Sequence, residues 1–332
     1  MLRPQAILAG VLGAGLLTGV GMAQPFTALH PAEHTTLIGG EKLVLLSHSP
    51  RELLLGRWAG DALVTLDDSS VSVPVINVYD REGRIRRRVP ITIQGAATVK
   101  VYTVSHGAGG WLAASGSAYT AEPRGGTWLA LISPDGRSQR VVRTNPFIPA
   151  QVVVAPDGAI WALGYEKAGD LITREHRMLR RFNSLGTQTG AYLPRSLFPG
   201  PRIPHPADRS FLAAGSDRIG WYSHITGEYV EWSLSGEVLT RLPGPRLQNN
   251  DEVHGLALCP DNQVYVNVSR IVKRPVASEI LRLDRAQGVW SPVTHSGERF
   301  LFLYGCGSDG LLTETVRSAQ ALQWFLPSLA GR

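Results

Sequence analysis

Two series of turns run through this sequence with one shared period, and few architectures satisfy both. The first lies at Gly60-Asp61, Gly109-Gly110, Asp157-Gly158, Asp217-Arg218, Asp261-Asn262 and Asp309-Gly310; counted from 61, 109, 157, 217, 261 and 309, its steps are 48, 48, 60, 44 and 48. The second is a set of hairpin glycines, Gly83, Gly136, Gly186, Gly236 and Gly288, with steps of 53, 50, 50 and 52. Glycine and aspartate suit such turns because they tolerate positive φ or bond their own backbone. Between the turns, apolar runs come at strand spacing and no window sustains a helical period. The clearest unit is VVVAPDGAIWALG at 152–164: a strand, a tight turn and a second strand.

Repeats of about 40–50 residues with four short strands each are the signature of a β-propeller, whose blades bury their apolar faces only by stacking round an axis. The expected fold class is therefore all-β: a six-bladed β-propeller of four-stranded blades, with the ring closed by strands from both termini. In that scheme the strands at 311–316 and 321–327 are completed by strands at 42–46 and 52–56. The first turn series is read as joining an outer strand to the next blade's innermost one. This places Trp111, Trp161 and Trp221 on innermost strands and Trp128, Trp232 and Trp324 on second strands, where large rings fill the widening wedge between blades. The 60-residue step implies an insertion, assigned to the Pro-rich stretch 198–209.

The propeller is assigned to 41–332, after an extended lead-in at 24–40 and a signal peptide at 1–23. The leader has Arg3 in its positive region, an apolar run at 6–20 and small residues before a cleavage site after Ala23. That run is shorter than the roughly 20 residues a spanning helix needs. A secreted or periplasmic protein with no transmembrane anchor after cleavage, and a monomer, is expected. Arginine supplies most of the net charge of +6, since only Lys42, Lys100, Lys167 and Lys273 are lysines among 33 basic residues. The densest run, Arg84 and Arg86 to Arg88, reads as a solvated edge strand whose charges block unwanted pairing. It lacks the broad basic face of a nucleic-acid binder. Cys259 and Cys306, at nearly equivalent points of neighbouring repeats, are expected as buried thiols, with a disulfide the alternative.

Several motif matches lose their force in context. Residues 305–310 satisfy GxGxxG but run into a strand, not a phosphate-binding helix. His30 to His34 spells HxxEH, a zinc pattern that needs both histidines on one helix face, which this segment does not support.

APDGAIWALG and HGLALCPDNQVYVNV resemble the strand-turn-strand repeats of NHL-type proteins and of six-bladed propellers related to the gluconolactonase and strictosidine-synthase families. In lactonase-like propellers the matching Asn-Gly-Leu-Ala supplies a metal-binding asparagine; this chain has His254-Gly255-Leu256-Ala257, while the corresponding openings in other blades are poor ligands. Residues flanking the channel mouth give the candidate site: Glu52, Asp67, Gln151, Glu166, Arg209, His224, His254, Asn267, Arg299 and Glu314. One reading is a binding protein that uses its face or channel mouth for a protein, peptide or glycan partner. The other is a metal-dependent hydrolase or lyase of the lactonase class, with Ca or Zn held by His254, Glu52 and Asn267, and with Asp67 and Glu314 in support.

Overall fold

The computed structural model describes residues 27–37, 57–59, 62–68, 70–79, 85–120, 125–167, 175–198, 210–248, 251–270, 277–295, 300–307, 310–315 and 321–327. The chain is a β-propeller with five blades of four strands each, every blade an antiparallel meander of consecutive strands. They are β2–β5 (Arg57–Ala59, Ala62–Asp67, Val75–Tyr79, Ile85–Pro90), β6–β9 (Thr98–His106, Leu112–Tyr119, Gly126–Ile132, Gln139–Arg143) and β10–β13 (Phe147–Val154, Ile160–Glu166, Arg177–Phe182, Gln188–Pro194). The other two are β14–β17 (Ser210–Ala214, Arg218–Ser223, Glu228–Ser233, Val238–Pro243) and β18–β21 (Glu252–Leu258, Val264–Arg270, Ala277–Asp284, Val289–His295).

This corrects the expected six-bladed ring. The last strands, β22 (Phe300–Gly307), β23 (Gly310–Thr315) and β24 (Ala321–Pro327), belong to the sheet of the first and last blades; the expected completing strands at 42–46 and 52–56 lie outside the described residues. Strand β1 (Thr27–Leu37) inserts beside β24, antiparallel to it and parallel to β21, while β22 runs parallel to β2. The result is one continuous 12-stranded sheet that joins the first and last blades. The segment carrying HxxEH is thus strand, with a register shift between Pro31 and Thr35.

A second correction concerns which strands are innermost. Strands β2, β6, β10, β14, β18 and β22 contact one another round the axis. Hydrogen bonds between blades tie them: Gln151 on β10 donates to the Ser210 carbonyl of β14 (2.5 Å) and accepts from the Leu212 N–H (3.2 Å). The Asp157-Gly158 turn therefore joins an innermost strand to the second strand of the same blade. Trp161 and Trp221 lie on second strands and Trp128 and Trp232 on third strands, one strand further out than expected; Trp111 directly precedes β7, and Trp324 lies on β24. Turn spacing fixes a period but not the axis. Burial fixes the axis: all four residues Gln151 to Val154 are buried, whereas β9 and β17 hold only half-buried and exposed positions, as outer strands do.

The same shift explains the cysteines. Cys259 directly follows β18 and Cys306 lies on β22, two innermost strands that converge at the axis, so their Cα atoms are 5.3 Å apart and the pair is a disulfide, not two thiols.

Each wedge between consecutive blades is filled from both sheets. Between β10–β13 and β14–β17, Trp161 stacks on Tyr192 (ring centroids 5.1 Å), and Trp221 and Trp232 complete the cluster. The hairpin glycines mark the same seams further out. Gly136, Gly186, Gly236 and Gly288 all have positive φ, and each packs on the outermost strand of the preceding blade, against Val89, Val142, Tyr192 and Leu242 respectively. The near-constant steps of that series are thus the spacing of blade-to-blade contacts. Arg87, on the edge strand β5, likewise reaches into the next blade, where it donates to the carbonyls of Pro134 and Gly110.

A buried ionic cluster strengthens one seam. The Glu231 carboxylate, 0 % exposed, accepts from Arg218 (3.1 Å), from Arg285 of the next blade (2.7 Å) and from the Tyr229 hydroxyl (2.7 Å). Burial pushes the Tyr229 phenol well above its ordinary value.

Candidate functional site

The innermost strands begin on one face of the propeller, here called upper, and reach the tight Asp-containing turns on the other. Besides β22, whose pairing with β23 shifts register twice, three of them carry a single residue more than their partner strands: Tyr102 in β6, Ala150 in β10 and His254 in β18. Each bulged residue stands five places before the residue whose N–H closes the tight turn, namely Gly107, Ala155 and Cys259. A bulge bends its strand and re-aims a side chain. Here it breaks the alternation of buried residues, so that Val99, Val101 and Val104 of β6 all join one core cluster. Tyr102, Ala150 and His254 are each half-buried between buried neighbours.

Glycine across the sheet makes room for two of these bulges. A Cβ on Gly116 would lie 1.9 Å from the Lys100 carbonyl oxygen, and one on Gly164 would lie 2.1 Å from that of Ile148. Lys100, Ile148 and Glu252 hold equivalent places two residues before the bulges; Lys100 and Glu252 are exposed and Ile148 is half-buried. Strands β6 and β18 stand across the ring from each other, with β10 and β14 between them on one side and β22 and β2 on the other. The upper mouth thus presents Lys100 with Tyr102 on one side and Glu252 with His254 on the other. Burial lowers the His254 pKa, and the neighbouring Glu252 carboxylate works against that shift.

The expected site residues divide between frame and surface. Gln151 is frame, with its amide wholly engaged between β10 and β14. Asn267 is fully buried on β19, where its amide donates to the Glu279 carbonyl (3.2 Å). Glu166, at the upper end of β11, pairs with Arg180, whose guanidinium lies over the Phe147 ring at 4.1 Å; the Glu166 N–H donates to Nε2 of buried His176 (3.1 Å). Asp67 ends β3, His224 sits in the turn after β15, and both are half-buried. Glu314 lies on β23, while Glu52, Arg209 and Arg299 lie outside the described residues. Among the described residues, no three His, Cys, Asp or Glu side chains come together as a metal-holding group. Lys100 and Tyr102 escaped the sequence reading, which assigned no mouth residue to β6. The available signal was the run TVKVYTV, where a lysine interrupts an otherwise apolar strand.

No family model matches the chain, and no curated protein matches it. Among solved structures, a candidate exported protein from Bacteroides fragilis NCTC 9343 superposes with a TM-score of 0.55 and 10% identity, covering 90% of this chain and 95% of that one. The likeness is one of fold. A protein of unknown function from Bacteroides caccae, 13% identical over 81% of this chain and 94% of its own, gives a TM-score of 0.48. The propeller fold expected from the NHL and lactonase resemblance is present. No helix among the described residues is long and apolar enough to cross a membrane.

Proposed function

We propose that this chain is an exported β-propeller that binds a protein, peptide or glycan partner on its upper face, round the channel mouth. The observation that carries this reading is the division of labour among the mouth residues. Gln151 and Asn267 hold strands together, whereas the charged Lys100 and Glu252 are exposed on the innermost strands. Binding groups on rigid elements keep their geometry and cost little ordering on association. Export is supported by the leader-like residues 1–23 and by the Cys259–Cys306 disulfide, a bond that persists in oxidising compartments.

Two measurements on purified protein test the reading. Peptide and glycan arrays are expected to return a ligand class whose binding weakens when Tyr102 and His254 are both changed to Ala. Metal analysis separates this reading from the lactonase-like hydrolase. Stoichiometric Ca or Zn that His254→Ala loses, together with lactone hydrolysis, would overturn it.

A further inference from the structure

Opposite charges stand at one level of the mouth, on strands that face each other across the ring. Lys100 of β6 and Glu252 of β18 each lie seven residues before the residue that closes the tight turn, Gly107 and Cys259, and both side chains are exposed. One step deeper, the bulges place Tyr102 on the lysine side and His254 on the glutamate side. A purely anionic ligand would meet Glu252, and a purely cationic one would meet Lys100. A ligand with one charge of each sign satisfies both, through charge-assisted hydrogen bonds of about twice the strength of neutral ones.

From this juxtaposition we infer that the mouth takes a small zwitterion, a short peptide with both its amine and its carboxylate free. The carboxylate meets Lys100 and the ammonium meets Glu252. The inference rests on the binding reading above and narrows its ligand class. The supporting frame is rigid: Ser115 on β7 donates to the Pro149 carbonyl (2.8 Å), and Gln151 ties β10 to β14, so little ordering is left for the ligand to impose.

The test is titration calorimetry with trialanine, N-acetyl-trialanine and trialanine amide, on the wild type and on Lys100→Met and Glu252→Gln. Both substitutions fall on exposed side chains, and a thermal melt checks that each variant folds. Free trialanine is expected to bind, and each blocking group to weaken binding about tenfold or more, the loss of one charge-assisted contact. Lys100→Met should abolish the discrimination against the amide and Glu252→Gln that against the acetyl group. Equal binding of all three peptides, or discrimination that survives both substitutions, would overturn the inference. So would no binding of any peptide while an array returns a glycan or protein on the same face, which leaves the broader reading standing. Silence in both experiments removes both.

Discussion

Cys259 and Cys306 join the innermost strands of two neighbouring sheet units, β18 and β22, with Cα atoms 5.3 Å apart. The bond closes a loop whose ends are 47 residues apart in sequence, so it removes chain entropy from the unfolded state. Its loss should cost about 2–4 kcal/mol. Denaturant unfolding of Cys306→Ser, or of the wild type with a reductant present, checks this against the oxidised protein. Thiol titration of the unreduced, denatured protein should find no free sulfhydryl.

Gly116 and Gly164 make a sharper stability test, because two effects of opposite sign compete. Alanine in a strand normally gains about 0.5–1 kcal/mol over glycine. Here its Cβ would meet a backbone carbonyl that cannot rotate away. The clash should prevail, with Gly164→Ala and Gly116→Ala each destabilising by about 1–3 kcal/mol. Gly227, at φ 67° and with nothing within 4 Å of the place a Cβ would take, is the control: Gly227→Ala should cost only the left-handed backbone term, about 1–2 kcal/mol.

Glu231 sits between Arg218 and Arg285 with no exposure of its own, whereas those arginines reach solvent. Glu231→Gln should therefore cost about 3 kcal/mol, the lower end of what breaking a buried pair does. Arg241→Met removes an exposed partner of Glu228 and should cost less than about 1 kcal/mol. Urea unfolding of both variants compares them directly.

His254 predicts a pH dependence. Its folded-state pKa lies below the ordinary 6.5 because burial disfavours the imidazolium. Well above pH 6.5 the ring is neutral in both states and contributes nothing. As pH falls below 6.5 the unfolded chain takes up the proton first, so stability declines until the folded-state pKa is passed. Thermal melts at pH 7.5 and 5.5 should show a smaller acid loss in His254→Gln than in the wild type; equal losses would contradict the assignment.

Strand content and repeat period were legible in the sequence because turn chemistry is local. Asp157 accepts from the Ala159 N–H (3.0 Å) and Asp261 from the Gln263 N–H (3.0 Å), the self-bonded turns that the residues themselves announce. Blade number and blade boundaries were not legible, because they depend on which strand meets the axis and on how β1 pairs across hundreds of residues. The one-strand error then propagated. It put Cys259 on an outer strand, too far from Cys306 to bond, and it hid the role of Gln151, whose amide is spent on β14. His254 was singled out from its His-Gly opening, yet its partial exposure arises from a bulge that no residue pattern announces.

On this reading the upper face, not the face of tight turns, is the binding surface. Its most direct test compares two variants on the same peptide and glycan array: Lys100→Met with Glu252→Gln on the upper face, and Asp135→Ser with Asp261→Ser on the turn face, where both aspartates are exposed. The upper-face variant is predicted to lose the wild-type signal while the turn-face variant keeps it. Loss of signal in the turn-face variant alone would place the binding surface on the opposite face.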